Sequence, residues 1–235
     1  AYIHNGEELG DKSTKQRFHL CLIAKNEIGY KNLMYLSSMS YIEGFYYYPR
    51  INKKILKEHS EGLVCSSACL QGEVSWHLNL SDRNVKFGAK GYERAKEVAL
   101  EYKEIFGDDF YLEIMRHGIG DQRRIDDDIL RIAKEIGIKV IATNDTHYTF
   151  KERAAAHEVF MCIAMNKTLD DPNRLRHSVH EFFVKSKEQM NELFLDIPEA
   201  IENTQEIVDK CNLEIKLGNP TPPNFKFTLE CAKER

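Results

Sequence analysis

The chain has 235 residues, 42% hydrophobic and 30% charged, with a formal charge of −4. That length supports a sizeable core, and the slightly acidic balance excludes a whole-chain nucleic-acid signature, leaving any DNA contact to a local patch or a missing part. No apolar run reaches the length of a membrane span and no charged-then-apolar leader is present. Cysteines at 21, 65, 69, 162, 211 and 231 are scattered through strand-like and helix-like runs, which suits reduced thiols in a cytoplasmic protein.

The opening "AYIH" reads as a strand already under way, and the closing "TLECAKER" stops inside the start of a helix. Both edges are expected to be cuts from something longer. "RFHLCLIA" (17–24) predicts a strand, and the following stretch predicts a helix capped by Asn26, with Ile28, Leu33, Leu36 and Met39 on one face and Gly44 at its end. "GLVCSSA" (62–68) is the next strand. Ala95, Val98, Ala99, Tyr102, Ile105 and Phe106 then mark a 3.6-residue period closed by Gly107. "FYLEIM" (110–115) predicts a strand, Ile125, Ile129, Ile132 and Ile136 a helix, and "IKVIAT" (138–143) a strand.

Strands alternating with helices over 1–150 predict an α/β fold built from parallel βα units. The character changes over 151–217, where "KERAAAHEVFMCIAMN" is helical and Ser186 with Gln189 makes a capping-box pattern. Pro198 sits as the first residue of a further helix. Residues 218–235 begin with the proline-rich "GNPTPPNF" and read as a linker.

In βα architectures functional groups gather at the C-terminal ends of strands. His19, Cys69, Glu113, His117 and the Asp145–His147 pair all fall within or just after a predicted strand. A thiolate, imidazoles and a carboxylate suit zinc, or manganese and iron with the carboxylate bridging. In an extended segment residues i and i+2 point the same way, so Asp145 and His147 can reach one ion. Each has a plainer reading as well. Asp145 can open a turn, His19 can be a satisfied buried histidine, Cys69 a small apolar filler, and Glu113 the polar face of its strand. His157 and His180 have helix and turn contexts and read as structural. "GFYYYPRINKK" (44–54) sets four aromatics beside Arg50, Lys53 and Lys54, a pattern that either stacks bases and pairs phosphates or packs sideways over the core.

As an ordered set, "HLCLIAKNEIGYKNLMYLSSMSYIEGFYYYPRINKKIL", "SEGLVCSSACLQGEV", "FYLEIMRHG", "VIATNDTHY" and "EFFVKSKEQMNELF" resemble the polymerase-and-histidinol-phosphatase (PHP) domain of bacterial replicative DNA polymerase III alpha subunits. The resemblance covers nearly the whole chain. It implies a distorted βα barrel, incomplete here, followed by a helical segment leading toward the polymerase palm. It implies a divalent metal, zinc or manganese, held by His19, Cys69, Asp145 and His147, with Glu113, His117 and Arg50 near the cleft. The family's H-x-H motif, its "DHG"-like motif and a Glu before the "AYI" strand have no counterpart in this chain, so the cluster is expected to be incomplete. The palm aspartates, which use magnesium, are likewise expected beyond Arg235, so no polymerase activity is expected of this piece.

For the parent protein the resemblance implies DNA-directed DNA synthesis, with DNA and deoxynucleotides as substrates. The proofreading exonuclease subunit, the sliding clamp and the clamp loader are the implied partners, and no membrane is involved. Two roles for the PHP region follow: a metal-dependent 3′–5′ exonuclease, or a scaffold that stabilises the polymerase and docks the exonuclease subunit. A free-standing phosphoesterase of histidinol-phosphatase type shares the fold, but the match after residue 150 and the linker-like end count against it.

Overall fold

The computed structural model describes residues 1–218, 220 and 222. The linker expected over 218–235 therefore lies almost wholly outside the described residues. Two mixed sheets form the frame. In the smaller, β1 (Tyr2–His4) lies between β2 (Phe18–His19), antiparallel to it, and β4 (Ile51–Asn52), parallel to it. In the larger, the order is β3 (Cys21–Ala24), β5 (Leu63–Ser66), β6 (Phe110–Met115), β7 (Lys139–Thr143). β5, β6 and β7 run parallel, as the alternating pattern predicts, whereas β3 is an antiparallel edge strand. Among the described residues no strand pairing joins the two sheets, so the barrel does not close.

The apolar run 17–24, expected as one strand, is two. Leu20 separates them: its N–H donates to Ala1 O at 3.0 Å while its side chain is buried. His19 consequently pairs with Tyr2 in one sheet and Cys21 with Ser66 in the other. β6 sits centrally and is buried on both faces, which explains its almost unbroken apolar sequence.

Helix α1 (Glu27–Ile42) starts where the Asn26 side chain accepts from Gly29 N–H at 3.0 Å. Leu36 is buried, but Ile28, expected on the same face, is 49% exposed. Gly29 takes the contact instead: a Cβ there would stand 1.9 Å from Gly62 O, so the helix approaches the loop before β5 more closely than any side chain allows.

Three short helices had no sequence signal: α2 (Lys53–Glu58), α3 (Glu73–Leu78) and α4 (Asp82–Lys86). α5 (Tyr92–Phe106) and α6 (Gly120–Ile136) bury the residues their 3.6 periods select except Ile105 and Ile136, which are half-buried, and Gly137 ends α6 in the left-handed conformation, φ 66°. Beyond β7 come α7 (Ala154–Ala164), α8 (Lys187–Leu193), which opens on the expected Ser186–Gln189 capping box, and α9 (Pro198–Lys210). α9 packs on β7, with Ala200 fully buried and Asn203 Nδ2 donating to Val140 O at 2.8 Å. Among the described residues no helix is long and apolar enough to cross a membrane.

Candidate metal centre

The C-terminal ends of β5, β6 and β7 open on one side of the larger sheet, and β2 brings His19 to the same place. There His19, Cys69 and Asp145 line a cavity of about 680 Å³, together with Cys21 and Met115 and an apolar wall that includes Leu22, Leu33 and Leu36. His19 Nδ1 stands 3.5 Å from Cys69 Sγ. Local backbone explains why the pair meets. Ala68, a non-glycine residue, holds φ at 60°, the turn closes through Gly72 N–H donating to Cys69 O at 2.8 Å, and Gly72 bridges to His19. Strain of this kind persists where surrounding structure over-determines it, and such places cluster at functional sites.

Burial pushes the Cys69 thiol up, and the Asp145 and Glu113 carboxylates add to that. It pulls the His19 imidazole down, helped by the nearby Ala1 ammonium and Arg17, while Asp145 opposes.

Asp145 and His147 also meet: Nε2 of His147 is 3.3 Å from the Asp145 carboxylate. His147 does not line the cavity, however. It faces a shallow depression shared with His157, and its ring centroid lies 5.0 Å from that of His177 and 5.5 Å from that of His157. His177 carried no sequence signal, and His157 was read as structural. The two lie 20 residues apart on α7 and in the loop after it, a spacing without a motif. Burial, followed by repulsion from His147, lowers the pKa of each.

The expected cleft residues divide. Glu113 is 5% exposed and accepts from the Ser66 and Thr143 hydroxyls, so it braces β5 and β7 from beneath the mouth. His117 is 1% exposed with both ring nitrogens committed: Nδ1 accepts from Gln122 at 3.0 Å and Nε2 donates to Asn144 at 3.2 Å. It holds Asn144, next to Asp145, in place. Arg50 is a correction. It is fully buried, with Nη1 donating to Thr14 O at 2.8 Å and Nη2 to Asp11 O, so it clamps a loop and offers nothing to a phosphate. The exposed tyrosines nearby instead pair with other cations: Arg17 lies 3.5 Å from the Tyr48 ring centroid and Lys15 3.7 Å from that of Tyr47.

Residues 2–117 match the PHP domain. Over all 235 residues the chain is 78% identical to a DNA polymerase III subunit alpha from Campylobacter jejuni, covering 20% of that protein. The chain carries a PHP domain over residues 2–117. It is also 66% identical over 239 residues to a DNA polymerase III subunit alpha from Helicobacter pylori, with 99% of this chain and 20% of the relative covered. The corresponding protein of Thermus aquaticus is 40% identical over 208 residues, covering 86% of this chain and 16% of the relative. The chain thus spans about a fifth of the length of the curated relatives it matches.

The PHP mouth fits a borderline-soft divalent ion on its own chemistry. Zinc bonds of about 2.3 Å to sulfur and about 2.0 Å to nitrogen at a tetrahedral angle place the two ligand atoms about 3.5 Å apart. The His19–Cys69 separation of 3.5 Å has that value. Asp145 supplies the charge that such a pair lacks.

Proposed function

We propose that this chain is the PHP region of a replicative DNA polymerase III alpha subunit, in which His19, Cys69 and Asp145 hold a divalent metal of the zinc or manganese class. The observation that carries the reading is the His19–Cys69 contact at 3.5 Å beside Asp145 in one open cavity. His147 then acts from behind Asp145, orienting its carboxylate through the 3.3 Å contact. A bound ion would lower the pKa of a ligated water and polarise a phosphodiester, the chemistry of a 3′–5′ exonuclease. The chain's own part is to hold the Asp145 carboxylate and the Cys69 sulfur at the mouth, with Glu113 and His117 fixing the strand ends beneath them.

The relatives' identity supports a replicase context. DNA and deoxynucleotides, a magnesium-dependent polymerase palm, the proofreading exonuclease subunit, the sliding clamp and the clamp loader belong to the parent assembly. Helices α7 to α9 would then connect the PHP region to the palm. The second reading is a scaffold without hydrolysis. The outward side of α7 favours it, because Val159, Phe160 and Ile163 are 43%, 68% and 71% exposed and offer an apolar face to another part of the assembly.

Elemental analysis of the purified chain beside Cys69→Ser and Asp145→Ala variants tests the metal reading. Bound zinc or manganese that falls in both variants is the expected result. Equal metal in all three proteins, or none in any, overturns it and leaves the scaffold.

A further inference from the structure

We propose that a basic groove beside His19, walled by Lys15, Arg17 and Arg83, seats a single strand of DNA at the entrance to the metal mouth. Its role as a substrate track rests on the nuclease reading of that mouth. The groove is a cavity of about 520 Å³ between the stretch 14–17 and α4. It shares His19 with the cavity that holds Cys69 and Asp145, so the two adjoin at that residue. Three cations line the groove and no carboxylate does, in a chain whose net charge is −4. One sign of charge gathered in a cleft draws an anionic chain to it. Pockets for small ligands span about 300–1,000 Å³, so the room suits a nucleotide unit at the end of a strand.

Arg17 stands two residues before His19 in an extended run, which turns both side chains to the groove. Tyr48 and Tyr2 hold its guanidinium, at 3.5 Å and 4.9 Å from their ring centroids. The Arg17 Nε is buried and has no hydrogen-bond partner among the described residues. A guanidinium fixed by rings rather than by carboxylates keeps its charge and its fork of donors for an incoming phosphate. Lys15 is held in the same way, 3.7 Å from the Tyr47 centroid. The tyrosines of the stretch 44–54 thus serve the groove by aiming cations from elsewhere in the chain. On the facing wall, Arg83 and Phe87 stand one helical turn apart on α4 and its C-terminal cap, and Phe87 is 63% exposed. Gln16 Nε2 reaches Phe87 O at 3.5 Å and ties the two walls together. Asp82, the acid on α4, does not line the groove. An exposed ring among cations is a platform for a nucleobase, whereas a bare anion needs no ring.

The test is binding of a fluorescein-labelled oligothymidylate to the 235-residue chain, read by anisotropy in EDTA so that no metal contributes. Arg17→Ala and Arg83→Ala should each weaken binding about tenfold, the size of one lost charge-assisted hydrogen bond. Each should also lower the slope of log affinity against log salt by about 0.7. Lys57, exposed on α2 and absent from the groove lining, is the control, and Lys57→Ala should bind as the unmodified chain does. Trp76 is the single tryptophan and lines the groove, so its emission reports occupancy without any substitution. Unlabelled oligothymidylate should quench it to saturation. No binding, equal affinity in both arginine variants, or binding that leaves Trp76 emission unchanged overturns the proposal. So does displacement of the strand by inorganic phosphate or polyglutamate at matched charge, which marks a general anion surface. Cys69→Ser should lose metal yet bind the strand normally, so failure of the metal reading and failure of the groove show in different assays.

Discussion

Glu73 is the first residue of α3, and its side chain is fully buried. Its Oε2 accepts from Tyr102 OH at 3.0 Å and pairs with Lys53 Nζ at 2.8 Å, while Oε1 accepts from Asn5 Nδ2 at 2.8 Å. Glu73→Ala removes one partner of a buried ion pair, a loss of about 3–5 kcal/mol in comparable cases. It also strips the buried Tyr102 hydroxyl of its acceptor, which adds about 1–3 kcal/mol. Partial relief comes from Lys53, which is 20% exposed and keeps Glu101 as a partner. The net expectation is about 4 kcal/mol, read as a lower urea midpoint at an unchanged slope. Tyr102→Phe deletes only the hydroxyl and should cost about 1 kcal/mol. A Glu73→Ala loss under about 1 kcal/mol, or equal losses from the two variants, would refute the reasoning. The effect should extend to function, because Gly72, one residue earlier, holds both Cys69 and His19 in place.

Two further outcomes are expected. The Lys139 ammonium, with Lys210 and the Tyr111 hydroxyl, outweighs burial and holds the Glu206 carboxyl at about 2, down from 4.5. A depressed folded-state pKa contributes stability that is fully present above 4.5 and is lost as pH falls toward about 2. Urea midpoints of Glu206→Gln should therefore lie below wild type at neutral pH and converge with it through that window; parallel curves would contradict the assignment. Gly29→Ala drives a methyl to 1.9 Å from Gly62 O and should cost about 2–3 kcal/mol, whereas a neutral result in thermal melts would show that α1 can lift off its contact.

The sequence was most legible where a single face is buried. α5 and α6 have one apolar stripe each and stand where their periods place them, and β6 matches "FYLEIM" residue for residue. It was least legible where burial is complete. All six residues of α3, "EVSWHL", are buried, so no polar face exists to produce a period. Arg50 shows the same limit for charge: its place among aromatics suggested a surface contact, and only the fold reveals two backbone carbonyls waiting for its guanidinium. At the candidate site, the strand-end rule located His19, Cys69 and Asp145. The direction in which His147 faces depends on His157 and His177, which only the return of the chain after α7 brings near.

The break at Leu20 has a mechanical consequence. His19 is hydrogen-bonded into the smaller sheet, whereas Cys69 and Asp145 follow strands of the larger one, so the candidate ligands straddle a seam that no strand ladder crosses among the described residues. An ion seated there would act as a rivet between two sheets that otherwise share an apolar core and the His19–Gly72 bridge. Its binding energy would enter the free energy of shearing them apart, so metal loss would loosen the seam before it unfolded either sheet.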